Sequence, residues 1–387
     1  MEDKLNKPLK ILFLPAWYPE KDKTVGGIFI REHARAVSLY NKVVVLYIEK
    51  ATPDTGPGPT EFRSEVVEDG IRTIRIYYRE SSIPGFIYPR QIISVYRGLA
   101  RLIREGWTPD IIHAHIYSAG FTAILMKMIF RIPVVLSEHS SDFMRATPRR
   151  PNMLKARLAL QKANIVLPVS RHLMESIKHY RLGRSFRVVP NAVNTELFHP
   201  PEDGVEPGKK KILFIGLLKP LKGISYLLDA IGILAGKRHD FVLDIVGDGP
   251  ARKELERMTG RLGLDKFVRF RGLKTKEEVA RIMRGSSFLV QPSLVETFGV
   301  TIIEAMACGK PVVATDLPVF REKINTGRGI LVPAGDDVAL AGAIDTMLDR
   351  YQYYIPGEMA EYARRNYSYE ILGNKLNEVY QDVLRTI

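Results

Sequence analysis

The chain has 387 residues, 45% of them hydrophobic, and a formal net charge of +14. That length exceeds one usual domain, so two are expected. A single cysteine, Cys308, excludes an internal disulfide and suits a reducing compartment. The charged opening from Met1 to Lys7 lacks the apolar core of a signal peptide, and no apolar run is long enough to span a bilayer. A cytoplasmic protein is expected. The charge is uneven: residues 1–200 hold 30 Lys and Arg against 18 Asp and Glu, whereas residues 201–387 hold 27 against 25. The excess in the first half points either to solubility alone or to an anionic partner, such as an acidic membrane surface or a phosphate-bearing acceptor. No base-reading motif or stacking platform accompanies it, so nucleic acid is not expected.

Lys10 to Pro15 reads as a buried first strand, followed by a loop from Ala16 to Gly27 and a helix from about Ile28. Strand, glycine-containing loop and helix form a phosphate-binding layout, although the G-x-G-x-x-G text is missing. Val43 to Ile48 is a second strand, and the Pro- and Gly-rich residues 51–64 read as a surface loop. Ile71 to Tyr78 alternates apolar with polar residues, as a half-exposed strand does. From Pro89 to Arg104, one helical face carries Ile92, Val95, Tyr96, Leu99, Leu102 and Ile103, and another carries Arg97, Arg101 and Arg104. Such a helix either packs on a core with a solvated back or lies on an acidic membrane.

Two further strands end in histidines, Asp110 to His115 and Val134 to His139. Open α/β sheets place ligands at strand C-terminal ends. The His113-x-His115 pair invites a zinc reading, but we expect the two rings to leave the strand on opposite faces, so no metal is expected. Ile165 to Ser170 is another strand, with Ser170 placed to cap the next helix. Pro200 to Gly208 reads as a linker. The pattern then restarts: strands at Lys211–Gly216, Phe241–Val246, Phe267–Phe270 and Phe288–Val290 alternate with helices at Pro250–Leu262 and Lys276–Met283, and Tyr369 to Ile387 is a terminal helix. This implies a second parallel sheet covered on both faces.

The most informative stretch runs from Gln291 to Pro311. Phe298-Gly299 opens a compact helix that Gly309 and Pro311 end. Its first amides, near Gly299, Val300 and Thr301, have no partner inside the helix and form an anion site. Glu296 lies just before that site, and Glu304 one to two turns beyond it.

The text P-S-x-x-E-x-F-G-x-x-x-x-E-A-M-A-C-G-K-P-V around Glu296 and Glu304 resembles the E-x7-E signature of family 4 of the retaining glycosyltransferases. The resemblance implies a GT-B fold: two Rossmann-like domains facing each other across a cleft. Residues 1–200 would bind the acceptor and 201–366 the nucleotide sugar, and 367–387 would form a helix crossing back to the first domain. It implies that Glu304 accepts hydrogen bonds from the ribose, that Glu296 sits near the donor sugar, and that the amides of Phe298, Gly299 and Val300 hold the diphosphate. Gly216 to Gly223 resembles the family's G-R-L-x-x-x-K-G, which gives Lys222 the donor phosphates; Leu217 stands where the family has arginine. Val246 to Pro250, including Gly247, and the backbone near Leu273 are implied to surround the base. Gly26 and Gly27 would lie beside the diphosphate and sugar. His139, in a segment similar to H-[GS]-[ST]-D, would contact the hexose, and His115 would open the acceptor site. The segment Asp316 to Glu322 lacks the family's Gly-Gly pair, and Arg321 adds a charge there.

The expected activity is transfer of a hexose from a UDP- or GDP-linked donor to a sugar or lipid-linked acceptor hydroxyl, with retention and without a metal or other cofactor. Lys222, Glu296 and His139 are the expected catalytic groups, and surface-glycan assembly at the inner face of a membrane is the expected setting. Two other classes share the pattern. A non-catalytic nucleotide-sugar sensor would bind donor without turnover, and an epimerase would consume donor without an acceptor product.

Overall fold

The computed structural model describes residues 7–19, 26–50, 61–78, 87–144, 150–202 and 210–386. Three stretches of expected loop or linker, 20–25, 51–60 and 203–209, lie outside them. The chain forms two compact units, one of residues 1–192 with Tyr369–Ile387 and one of Val193–Ser368.

The first unit contains, in order, β1 (Lys10–Pro15), α1 (Ile28–Ser38), β2 (Lys42–Lys50), β3 (Glu61–Glu68), β4 (Ile71–Tyr78), α2 (Ile87–Arg104), β5 (Ile111–His115), α3 (Tyr117–Phe130), β6 (Val134–Glu138), α4 (Arg150–Lys162), β7 (Ile165–Pro168) and α5 (Arg171–His179). The strands form one sheet in the order β3-β4-β2-β1-β5-β6-β7, parallel except for β3. Every residue of β5 and β6 is buried, as expected for strands covered by helices on both faces. Ser170 accepts the Leu173 amide at 3.1 Å and caps α5 as expected.

Two readings of this unit's elements need correction. Residues 61–64 are not loop but the start of β3, which pairs antiparallel with β4. The connecting Asp69 and Gly70 have φ of 52° and 76°, so this is an Asp-Gly hairpin turn of the kind that matches strand twist. In α2, Val95, Leu99 and Leu102 are buried as read, but Tyr96 is 43% exposed, its ring 5.5 Å from that of Phe130.

The second unit contains β8 (Lys210–Ile215), α6 (Ile224–Ala235), β9 (Phe241–Val246), α7 (Arg252–Arg261), β10 (Val268–Gly272), α8 (Lys276–Arg284), β11 (Phe288–Gln291), α9 (Val300–Ala307), β12 (Val312–Thr315), α10 (Pro318–Arg321), β13 (Gly329–Val332), α11 (Asp337–Arg350) and α12 (Pro356–Tyr367). Its sheet is wholly parallel, in the order β10-β9-β8-β11-β12-β13. Phe214, Leu228, Phe241, Phe288 and Ile344 belong to the core that the sheet and its helices share. The last helix, α13 (Tyr369–Arg385), belongs to the first unit and packs on α1. Asn377 accepts from Asn41 at 3.1 Å, and the Tyr380 hydroxyl meets His113 at 2.6 Å.

Both sheets are doubly wound. The chain builds outward from β1 or β8 in one direction, then returns to build from β5 or β11 in the other. Each unit therefore has a switch point, where two neighbouring strands send their following loops apart and leave a crevice at their carboxyl ends. These points lie between β1 and β5 and between β8 and β11. Among the described residues, no helix is long and apolar enough to cross a membrane.

Candidate active site

In the second unit, the switch point decides which side chains meet. Beyond β8 the chain enters a 3-10 turn, Pro220–Lys222, closed by Gly223 with φ of 67°. A Cβ there would stand 1.9 Å from the Pro292 carbonyl oxygen, so only glycine lets the turn rest against the segment leaving β11. The Leu294 amide donates to the Leu221 carbonyl at 2.9 Å and closes the same contact. This docking brings the Lys222 ammonium onto the Glu296 carboxylate, with the two side chains 26% and 14% exposed. Glu296 also accepts the Thr297 amide at 3.1 Å.

The α9 helix starts immediately beyond. Gly299 is its N-cap, and no side chain caps it, so its first-turn amides stay available to an anion. A buried polar chain fixes this helix to β11. Gln291 donates to the Ser293 hydroxyl at 3.0 Å and accepts from Thr301 at 3.3 Å, and Thr315 donates to the Ser293 carbonyl at 2.6 Å. Phe298 is buried, edge-on to Tyr367, with the Lys323 ammonium 4.4 Å from its ring centroid. Burial pushes the Lys323 ammonium down to about 8, although Glu322 and Glu296 pull it upward. Glu304, one turn into α9, is buried and paired with Lys276 at the start of α8. Sequence reasoning missed both Lys276 and Lys323. Nothing local marks them, because Lys276 lies 28 positions from Glu304 and Lys323 follows a segment that departs from the family text.

The remaining expected donor groups also gather here. Gly247 has φ of 132°, and a Cβ on it would meet the Gly216 carbonyl oxygen at 2.0 Å. The loops after β8 and β9 therefore touch through bare backbone, and Gly247 donates its amide to Gly272 at 2.8 Å. Leu273, next in the chain, is 51% exposed. Arg321 does not aim at this site; its guanidinium is held by Asp316 and is 61% exposed.

In the first unit, Gly26 and Gly27 lead into α1, with Gly27 as its N-cap backed onto the Trp17 carbonyl. His115 and His139 come together, with Nδ1 of the first 3.2 Å from Nε2 of the second. Both are buried, at 0% and 6% exposure. The expectation that His113 and His115 diverge is wrong. Residues two apart on a strand share a face, and these rings stack 4.3 Å apart. His33, which sequence reasoning did not single out, packs edge-on to both His115 and His139. Burial drives His33 down to about 4 and lowers the other three imidazoles as well. Glu138 accepts the amides of Tyr117, His139 and Ser140, yet burial pushes its carboxyl up to about 7. Separately, a cavity of about 330 Å³ opens at the end of β1, lined by residues that include Gln91, Val95, Ser118, Thr122, Asn152 and Lys155.

Over residues 197–366 the chain matches the family described as "Glycosyl transferases group 1", and over residues 32–197 the one described as "Glycosyltransferase Family 4". It is 32% identical over 291 residues to a phosphatidyl-myo-inositol mannosyltransferase of Mycobacterium leprae, covering 71% of this chain and 74% of that one. Sucrose-phosphate synthase from Thermosynechococcus elongatus superposes with a TM-score of 0.81 at 21% identity, covering 98% of this chain and 100% of the other. The Anabaena protein HepE, solved with UDP and glucose, gives 0.77 at 20% identity over 97% and 100%. At these identities the two structures speak for the fold, and the sequence matches speak for the family. The chain belongs to the group 1 glycosyltransferases of family 4, with the GT-B fold.

Proposed function

We propose that the protein transfers a hexose from a UDP- or GDP-linked donor to an acceptor hydroxyl, with retention and with no metal at the diphosphate. One observation carries this reading: the Lys222–Glu296 pair lies at the switch point of the second unit, between the β8 turn and the uncapped start of α9. As the bond to the sugar breaks, the departing diphosphate gains negative charge. The Lys222 ammonium and the amides of Gly299 and Val300 stabilise that charge as it develops, which lowers the barrier rather than merely tightening binding. Glu296 holds the sugar side of the same ammonium, and Glu304 receives the ribose in company with Lys276. Gly216, Gly247 and Leu273 frame the base through backbone. Leu217 removes one cation of the family's pair, so Lys222 and the helix amides carry the diphosphate. Gly26 and Gly27 stand at the start of α1 in the first unit. His115 and His139, buried as they are, are left out of this reading.

The acceptor belongs to the first unit, and the cavity beside β1 suits it. Its lining mixes apolar side chains with Gln91, Ser118, Thr122, Asn152 and Lys155, as a site for a sugar on an apolar carrier would. The Mycobacterium leprae relative, named for a phosphatidylinositol acceptor, is consistent with a lipid-linked acceptor, and the basic first half with an acidic membrane surface. The solved complex of HepE with UDP and glucose favours a UDP-hexose donor.

The test measures nucleoside diphosphate release from a panel of UDP- and GDP-hexoses, in wild type and in Lys222→Ala. One donor is expected to turn over, with kcat reduced about 100-fold in the variant. Unchanged turnover in Lys222→Ala would remove the assigned role. Donor binding without transfer or hydrolysis would point instead to a sensor.

A further inference from the structure

Lys323 is a charged group in a place that suits an apolar one, and the transfer reading leaves it unused. Its side chain is almost wholly buried. An ammonium carries three N–H donors. One reaches the Val319 carbonyl at 2.8 Å, and the ammonium stands 4.4 Å from the Phe298 ring centroid. Among the described residues, no carboxylate lies within ion-pair distance of it; Glu322 and Glu296 act on it only from farther away. Burying an unpaired charge is costly, and an apolar side chain of similar volume would fill the same space without that cost.

The surroundings show where such a charge acts. Lys323 closely follows α10, which packs behind the start of α9: a Cβ on Gly299 would meet the Phe320 ring at 2.5 Å. Phe320 therefore backs Gly299, and Lys323 covers Phe298, whose other contact is the edge of Tyr367 at 5.7 Å. Phe298 and Gly299 are the two residues that lead the chain into the uncapped amides of α9. The strand before α10 is tied to the same loop, since Thr315 donates to the Ser293 carbonyl at 2.6 Å. The ammonium is thus fixed behind the amides, away from water, where its field is weakly screened. The cation already assigned to the donor, Lys222, is partly neutralised by its pairing with Glu296.

We propose that Lys323 is a positioning residue for the donor diphosphate: its ammonium clamps the Phe298-Gly299 turn onto the α10 segment and sets a fixed positive charge behind the α9 amides. The inference rests on the diphosphate reading given above. Lys323 does not touch the phosphates. Its charge counts most when the departing diphosphate gains charge, so it acts on kcat more than on KM. Burial holds the ammonium down to about 8, so it is charged at neutral pH and loses its proton in mild alkali. The groups that face it are Glu322 on its own segment, Glu296 with its partner Lys222 ahead of α9, and Tyr367 at the end of α12, whose hydroxyl burial pushes far up. Arg328 stacks on Tyr362 beyond them.

The test uses the full chain and the donor that the turnover screen identifies. Lys323→Met should keep or raise the melting temperature, because it removes an unpaired buried charge. Its kcat should fall about tenfold, the effect of one charge roughly 10 Å away at an effective dielectric constant of about 20, with KM nearly unchanged. In wild type kcat/KM should decline above about pH 8, and in Lys323→Met that alkaline limb should be absent. Should Lys323→Met fail to fold, calorimetry of the wild type decides: UDP or GDP binding at about pH 8.5 should take up a proton, because the bound anion favours the ammonium. No uptake overturns the inference. A Lys323→Met enzyme with wild-type kcat and pH profile overturns it as well, even if its melting temperature drops. Unchanged turnover in Lys222→Ala, by contrast, removes the diphosphate reading itself.

Discussion

Gly223→Ala tests how the site is assembled. Gly223 sits at φ of 67°, and its Cβ would fall 1.9 Å from the Pro292 carbonyl oxygen. The left-handed backbone costs an L-residue about 1–2 kcal/mol. The clash lies far inside van der Waals contact, so the turn or the β11 segment must retreat by about 1 Å or more. Such overpacking costs about 1–3 kcal/mol. The sum is roughly 2–5 kcal/mol, which in a unit of this size lowers the melting temperature by about 5–15 °C. The same retreat moves Lys222 away from Glu296, and a displacement of about 1 Å at reacting groups costs about 100-fold in rate. The assay combines calorimetry with turnover measured well below the melting point. Gly232→Ala is the control: it lies within α6 with nothing inside 4 Å of an added Cβ, and it should hold or slightly raise stability. A Gly223→Ala protein with wild-type melting and turnover would refute the docking of these two segments.

Lys276→Ala should destabilise the second unit by about 3 kcal/mol in denaturant unfolding, because it strands the buried Glu304 carboxylate. Lys276→Met with Glu304→Gln should recover much of that loss, and equal stability of the two variants would show that the pair is not coupled. Acid should destabilise the first unit. An unfolded histidine takes a proton near 6.5, whereas folded His33 waits until about 4, so stability falls as pH drops through that window. His33 alone is worth roughly 3 kcal/mol there, and His113, His115 and His139 shift in the same direction. Glu138 opposes them: its folded carboxyl protonates near 7, which adds stability as pH falls. Four imidazoles outweigh one carboxyl, so urea unfolding free energy should be clearly lower at pH 5 than at pH 7.5; a flat profile would contradict the burial of the cluster.

The fold was legible because its period is regular. Short apolar strands alternate with helices, and the text from Gln291 to Pro311 marks both a strand end and a helix start. Only half of the hairpin Glu61–Tyr78 was read: Ile71–Tyr78 was expected as a strand, but the Asp69-Gly70 turn was not singled out and the Pro- and Gly-rich run drew residues 61–64 into a loop. The pairing of Lys222 with Glu296 spans 74 positions and follows from strand order, which no single segment states. Lys276 and Lys323 are hidden for the same reason, and Lys323 also breaks the rule that lysines stay in water. His33 sits on a helix whose pattern is ordinary; only the sheet's switch point brings it beside His115 and His139. Tyr96 shows the limit of periodicity, because a residue at the margin of an apolar face can stay 43% exposed while Val95 and Leu99 beside it are buried.

The central claim is that a diphosphate rests on the start of α9 beside Lys222. The most direct measurement is a crystal structure of the protein with the donor that the turnover screen identifies. The account predicts phosphate oxygens within hydrogen-bonding distance of the Gly299 and Val300 amides and of the Lys222 ammonium. A pyrophosphate bound away from both would contradict it.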